Sequence, residues 1–265
     1  IQNMVLQGAD VLIVVAQDGQ AAVTAVDAAA REGIPVIAYD RLIPSPNLAA
    51  YLSFDNVAVG EAQAEGVTAV QDSGRFVLLG GSPVDNNARL FRKGQMNVLQ
   101  PLIDAGDIQV VADQWVENWD PNNALNLMEN ILTAQNNNVD AVVASNDGTA
   151  LGALQALSAQ GLEGEVPISG QDATLAGCKS IVEGELTVTV FKDVRKLSPA
   201  AMDMAIQLAQ GEEVSGLQDF TLAELTLDDS LEGSVPCRFL PVVKVTEDNV
   251  YEEVILTGFQ PYDEV

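Results

Sequence analysis

Short apolar runs alternate with stretches of helical period almost from end to end of the chain. Residues 11–16 form one such run. Residues 20–32 then place Val23, Val26 and Ala30 on one face, which predicts a helix, and residues 36–39 are apolar again. A helix is predicted over 56–70, a strand over 75–79, a helix over 87–99 and a strand over 109–112. Asp120-Pro121 offers an N-cap followed by proline at the first helical position, and Ala124, Met128, Ile131 and Leu132 make that helix's stripe. Residues 141–144 lead to Leu151, Leu154 and Leu157, a helix closed by Gly161. Residues 166–170 lead into 173–183. Residues 187–191 lead into a helix with the stripe Ala201, Met204, Ala205 and Leu208, ending at Gly211. The tail predicts strands over 240–245 and 250–256, and the opening residues 1–8 read as the last turns of a helix closed by Gly8. Strand and helix alternating in this way define an α/β protein with parallel sheets.

Composition narrows what such a fold does. Acids outnumber bases 38 to 12, a formal charge of −26 spread along the chain. This surface repels phosphate backbones and anionic lipid, so no nucleic-acid partner is expected. No run of about 18 apolar residues exists to span a membrane as a helix. The absence of histidine removes the usual general base and the commonest neutral metal ligand, and no metal or cofactor is expected. Cys178 and Cys237 lie in no metal-type spacing; two buried thiols and a disulfide are both open readings.

In open α/β sheets, ligands bind beyond the carboxyl ends of the strands, where loops converge. The residues that follow the strands here are Gln17-Asp18-Gly19, Asp40-Arg41, the loop from Gly80 to Asn87, the loop from Trp115 to Trp119, Ser145-Asn146-Asp147, Gln171-Asp172 and Lys192-Asp193. Nearly every strand ends in a carboxylate, a carboxamide or a cation. A sugar hydroxyl both donates and accepts, so it suits acceptors such as Asp, donors such as Arg and Lys, and Asn, which does both. A few charge-assisted bonds of roughly 1.5 to 3 kcal/mol each reach about micromolar affinity, on the order of 8 kcal/mol. An indole packs well on the apolar face of a pyranose ring. Helix capping competes for Asn146, Asp147 and Asp172, and a surface ion pair for Asp40-Arg41. Gly80-Gly81 lacks the Lys-Ser or Lys-Thr of a phosphate loop.

The segments Tyr39-Asp40-Arg41, Ser53-Phe54-Asp55-Asn56, GGSPVDNNARLFRKGQM from Gly80, DQWVENW from Asp113, VVASNDGTALGALQALSAQGL from Val142, ISGQDA from Ile168 and TVFK from Thr189 resemble the D-xylose-binding proteins of bacterial ABC sugar importers. The similarity runs along the whole chain. It implies a type I periplasmic binding protein, two doubly wound parallel-sheet lobes joined by three crossover strands, closing over one sugar. The lobes would be residues 1–54 with 192–237 and residues 55–191 with 238–265, and the crossings would fall near 53–55, 190–192 and 236–239. The sugar-contacting residues would be Asp40, Arg41, Asn87, Trp119, Asn146, Asp172 and Lys192. D-xylose or a similar monosaccharide and a membrane ABC permease are the implied partners, with the chain monomeric and extracytoplasmic. Phe191 and Asp193 stand where the family usually has Tyr and Pro. The family also carries a further strand, helix and strand, about fifty residues, before the position of Ile1, and a chain without that inner strand is expected to leave ladder groups unpaired.

Other readings share this fold. The effector core of a sugar-responsive transcriptional regulator would carry a helix-turn-helix upstream. A sensory receptor domain and a sugar-acting enzyme are further alternatives, the last requiring carboxylates at glycosidase spacing.

Overall fold

The apolar runs at 36–39, 76–79, 141–144 and 188–191 fold as strands that are almost wholly buried. The computed structural model describes all 265 residues. Up to Asp55 the order is α1 (Gln2–Leu6), β1 (Leu12–Val14), α2 (Gly19–Arg31), β2 (Val36–Tyr39) and β3 (Ala50–Phe54). From there to Lys192 come α3 (Asn56–Thr68), β4 (Gly74–Gly80), α4 (Asn86–Ala105), β5 (Ile108–Trp115), α5 (Pro121–Gln135), β6 (Ala141–Ala144), α6 (Asp147–Ser158), β7 (Ser169–Gln171), α7 (Leu175–Val182) and β8 (Val188–Phe191). The remainder holds α8 (Val194–Ala209), β9 (Gln218–Thr221), α9 (Leu222–Thr226), β10 (Ser234–Leu240) and β11 (Val243–Val245).

The chain divides into two units, one of Ile1–Asp55, Val84–Leu90 and Asp193–Pro241, the other of Asn56–Pro83, Phe91–Lys192 and Val242–Val265. The first unit holds the sheet β1-β2-β3-β10-β9, parallel except for the β10 to β9 pair. Its core gathers Val26, Val36, Ala38, Tyr51, Leu222 and Val235. The expected lobe boundaries differ here, because Val84–Leu90 packs with the first unit and β10 stays with it to Pro241. The physical reason is tertiary. Asp85 and Asn87 bond to residues of the first unit far away in sequence.

In the second unit β5-β4-β6 and β7-β8-β11 are linked by a bridge between Val142 and Ile168. All pairs are parallel except β8 with β11. The chain reverses its direction of winding between β4 and β6, the switch point of a doubly wound sheet, where strand ends splay and leave room for a ligand. Successive residues of β4 face opposite sides. Val77 and Leu79 enter one core with Met128, Leu132, Ala153 and Leu157 from α5 and α6. Phe76 and Leu78 enter another with Ala64, Val67 and Leu99 from α3 and α4.

Several sequence expectations need correction. Residues 250–256 are not a strand but a π-helical turn, Tyr251–Ile255, which buries Val250 and Val254 together. The run 240–245 breaks at Pro241, which ends β10 and leaves β11 to pair with β8. The strand expected over 109–112 continues to Trp115, so that residue ends a strand and does not sit in a loop. The fully buried β3 was expected only as the crossing near 53–55, and the polar edge strand β9 was not expected as a strand. Cys178 and Cys237 are both buried and free, which removes the disulfide reading. Burial pushes both thiols up to about 12, so neither is a ready nucleophile.

α3 and α4 approach closely at Gly94, where any Cβ would overlap the Val57 carbonyl oxygen. Gly94→Ala should therefore destabilise the protein by about 1–3 kcal/mol, read as a lower urea midpoint at unchanged slope. An unchanged midpoint would refute the close crossing.

Candidate functional site

Each unit gathers polar side chains near strand ends, the first drawing also on Asp85 and Asn87 from the segment Val84–Leu90. In the first unit β2 gives out at Tyr39, and Asp40 follows in the left-handed region at φ 60°. That conformation costs an L residue on the order of 1 kcal/mol or more, so something must hold it. The holding groups converge on the Asp40 carbonyl: Ser53 Oγ donates at 2.7 Å, Tyr51 Oη at 3.0 Å and Asn87 Nδ2 at 3.0 Å. The Tyr51 hydroxyl also lies 3.2 Å from Asn87 Oδ1. Asn87 is 2% exposed; one of its amide N–H groups serves the Asp40 carbonyl, and its Oδ1 shares the Tyr51 hydroxyl with that carbonyl.

Arg41 does not pair with its neighbour Asp40 in a simple surface ion pair. Its Nε meets Asp85 Oδ2 at 3.0 Å, and its Nη1 donates to Gln17 Oε1 at 3.1 Å. Asp85 is 4% exposed and also accepts from the Asn87 backbone N–H at 3.0 Å. One buried carboxylate thus fixes Arg41 and Asn87 together. Burial, followed by the nearby Asp40 and Asp85 charges, drives the Tyr51 phenol well above its usual value and keeps its proton on.

The second unit contributes Trp119, Asn146, Asp172 and Lys192. Trp119 ends a 3-10 turn, Glu117–Trp119, in which Asn118 and Trp119 both have φ 57°. Its indole sits edge-on to Phe91 at 6.3 Å and covers Gly81, where any side chain would collide with the ring. Lys192 is 7% exposed, with Nζ 5.8 Å from the centre of the Phe91 ring. Phe91 therefore supports both Trp119 and Lys192. Trp115 is engaged elsewhere, beneath the Arg92 guanidinium at 5.2 Å, and Arg92 also pairs with Asp113.

Asn146 caps α6 by accepting from the Thr149 N–H at 2.8 Å. The capping reading is right for it, yet the cap uses Oδ1 and leaves the Nδ2 donors out. Asp172 is not a cap; Thr174 caps α7. It has φ 104°, followed by Ala173 at φ 48°, and its carboxylate accepts from Gln171 Nε2. Gln171 is 4% exposed, and its Oε1 has no protein partner, a buried acceptor held beside Asp172. Gln63 Nε2 donates to the Ser145 carbonyl at 2.9 Å, and Gln95 Nε2 donates to Gln63 Oε1 at 2.8 Å, fixing the end of β6. Asp193 caps α8, bonding the Arg195 N–H at 3.2 Å and its Nε at 2.7 Å. The Arg195 hydrogen bond holds the Asp193 carboxyl below its usual value.

Of the seven residues expected from the sequence, Asp40, Arg41, Asn146, Asp172 and Lys192 stand within two residues of a strand end, Asn87 lies in the first turn of α4 and Trp119 ends the 3-10 turn after β5; Asp40, Arg41 and Asn87 belong to the first unit and the other four to the second. Asp85, Tyr51, Phe91 and Gln171 were missed as supporting residues. Asp85 and Gln171 stood in the loops already singled out. Tyr51 and Phe91 gave no signal beyond ordinary core patterning. No group of three or more Cys, Asp or Glu side chains is arranged to hold a metal ion.

These strand ends and the doubly wound sheets define a type I periplasmic binding protein. The model for the periplasmic binding protein domain matches residues 1–213, and the chain belongs to this family. It is 49% identical over 265 residues to the D-xylose-binding periplasmic protein of Escherichia coli (strain K12), covering 100% of this chain and 78% of that one. It is also 49% identical to the protein of the same name from Haemophilus influenzae, covering 100% of this chain and 77% of that one. The solved solute-binding protein of a carbohydrate transporter from Chloroflexus aurantiacus, in complex with D-glucose, superposes with a TM-score of 0.88 at 33% identity, over 99% of this chain and 83% of that one. The relatives are solute-binding transport proteins, and periplasmic binding proteins work outside the cytoplasm. No helix here is long and apolar enough to cross a membrane.

The titratable group that stands out is Asp147, the first residue of α6 and fully buried. Burial pushes its carboxyl from 3.8 up to about 6, against hydrogen bonds from Thr189, Thr174 and Gln171 that lower it. Between those values the folded chain holds more protons than the unfolded one. The stability owed to this group falls as pH rises through that window and is level above it. The shift is worth roughly 3 kcal/mol. Urea unfolding of the wild type and Asp147→Asn from about pH 4 to 7 should show the wild type losing roughly that much relative to the variant. Parallel profiles would show that Asp147 keeps an ordinary value.

Proposed function

We propose that this chain is the extracytoplasmic receptor of an ABC importer, capturing a pentose, D-xylose, and delivering it to a membrane permease. The observation that carries the reading is the combination of similarity to D-xylose-binding proteins along the whole of this chain with an inventory of fixed donors and acceptors suited to a neutral polyol. Asp40, Asn146 and Asp172 orient hydroxyls, Arg41 and Lys192 donate to ring or hydroxyl oxygens, and Trp119 lies on the apolar face of the ring. Asn87 serves chiefly by holding Asp40, because its own amide is engaged at 3.0 Å. The receptor acts as a monomer and turns nothing over. Sugar binding favours one conformation, and the permease recognises that conformation by its differential contacts.

Calorimetric titration with D-xylose tests this, with D-ribose and D-glucose as comparisons. One-to-one binding near micromolar affinity is expected, roughly 8 kcal/mol. Asp172→Ala should weaken it by about 100-fold, close to 2.7 kcal/mol, the loss of one or two charge-assisted bonds. Absence of heat with every sugar, from a chain shown to be folded, would sink the reading.

A further inference from the structure

Asp147 is absent from the set of sugar-facing residues, yet the polar groups around it make a single device. Its Oδ2 accepts from the Thr174 N–H at 2.8 Å and from Thr174 Oγ1 at 2.9 Å. Its Oδ1 accepts from Thr189 Oγ1 at 2.7 Å. Thr189 Oγ1 accepts in turn from the Ala173 N–H at 3.1 Å, and Thr174 Oγ1 accepts from the Gly177 N–H at 3.0 Å. A backbone N–H can only donate, so each hydroxyl must accept on that side and turn its own proton toward Asp147. Every group facing the carboxylate is then a donor, and only an ionised acceptor satisfies them all. Built Cβ atoms on Gly170 and Gly177 would overlap the Asp147 oxygens, so the surrounding backbone leaves room for this carboxylate and little else.

What the device holds is the strained pair Asp172 and Ala173, at φ 104° and 48°. The pair is tied at three further points. The Asp172 N–H donates to the Val190 carbonyl at 2.9 Å, Gln260 Nε2 donates to the Ala173 carbonyl at 2.8 Å, and Gln171 Nε2 bonds the Asp172 carboxylate. Left-handed φ at a residue with a side chain persists only where the surroundings over-determine it. From this geometry we infer that Asp147, acting through Thr189 and Thr174, is the positioning residue that sets the Asp172 carboxylate for sugar recognition. The inference rests on the reading of Asp172 as a sugar-contacting residue. Asp147 touches no sugar; it fixes the turn from which Asp172 is presented.

The test uses this chain with four substitutions: Thr189→Val, which keeps shape and loses the hydroxyl, Thr189→Ser, which keeps the hydroxyl, Asp147→Asn, and Asp172→Ala. D-xylose affinity is measured by calorimetry beside thermal unfolding. Thr189→Val and Asp147→Asn should each weaken binding by about tenfold or more while still unfolding cooperatively, and Thr189→Ser should stay within about threefold of wild type. A purely structural role would lower the unfolding temperature and leave affinity intact. If Asp172→Ala loses binding while Thr189→Val and Asp147→Asn bind like wild type, the positioning role is overturned and the receptor reading stands. If Asp172→Ala binds like wild type, the site reading falls and this inference with it. Should the Asp147 and Thr189 variants fail to fold, hydrogen exchange of the wild type decides. The Ala173 and Thr174 amides should be strongly protected in the sugar-free protein, and exchange at the rate of an open loop overturns the clamp.

Discussion

A parallel strand buried on both faces cannot simply stop. Its last backbone groups lose their ladder partners while still shielded from water, and each unpaired group costs about 1–3 kcal/mol. The organisation at the strand ends of this protein follows from that constraint. In the first unit the Asp40 carbonyl is met by a serine, a tyrosine and an asparagine. In the second, the amides of Ala173 and Thr174 are met by Thr189 and Asp147. Both solutions use buried side chains to satisfy backbone, and both hold an aspartate in the left-handed region directly after a strand. Backbone satisfaction and display of a carboxylate are one structural act.

On the proposed function this arrangement matters, because a neutral polyol offers little else to bind. Its apolar surface is small, and water competes for every hydroxyl, so a protein group contributes only if it is already in place. Arg41 illustrates the point: Asp85 and Gln17 restrain the guanidinium, and the ordering of a long side chain is accomplished during folding. Lys192 and Trp119 share Phe91 as a common support. With 12 bases against 38 acids, cations are scarce in this chain. Arg41, Arg92 and Lys192 stand with side chains largely withdrawn from solvent, and most of the acids, Asp85 and Asp147 apart, remain at the surface. A strongly negative exterior neither draws nor repels an uncharged sugar, whereas it disfavours the approach of a phosphorylated or acidic one.

The sequence carried the fold class and the strand ends because both are written locally. Apolar runs such as VIAY and AVVA, caps such as Asp120-Pro121, and charged residues where a buried run gives out need no knowledge of partners. β9 was not legible, since Gln218 and Asp219 are exposed on an edge strand that owes its existence to β10. Residues 250–256 read as a strand because an apolar residue at each end of a short run suits either period; packing of Val250 and Val254 one turn apart decided it. The support around the site was hidden for a related reason. Asp85 lies 44 residues along the chain from Arg41, and Asp147 lies 42 from Thr189, spacings to which no local pattern points. Asn146 shows the opposite limit: its capping role was readable, and capping does not exhaust a carboxamide.

The roles of neighbouring residues in this chain therefore separate by which atoms the fold consumes. Asn87 spends one amide N–H on the Asp40 carbonyl and holds its oxygen against the Tyr51 hydroxyl, and Asp147 accepts only from protein donors. Asn146 spends one oxygen and keeps its donors, and Gln171 spends its donor and keeps a buried acceptor. A residue of the first kind fixes geometry; a residue of the second kind has chemistry left for a ligand. Because the two kinds alternate along the same strand ends, a loss of binding on substitution does not by itself distinguish contact from support. The distinction lies in whether a shape-preserving change that removes one hydrogen bond acts on affinity or only on stability, since a supporting network transmits its effect through position rather than through touch.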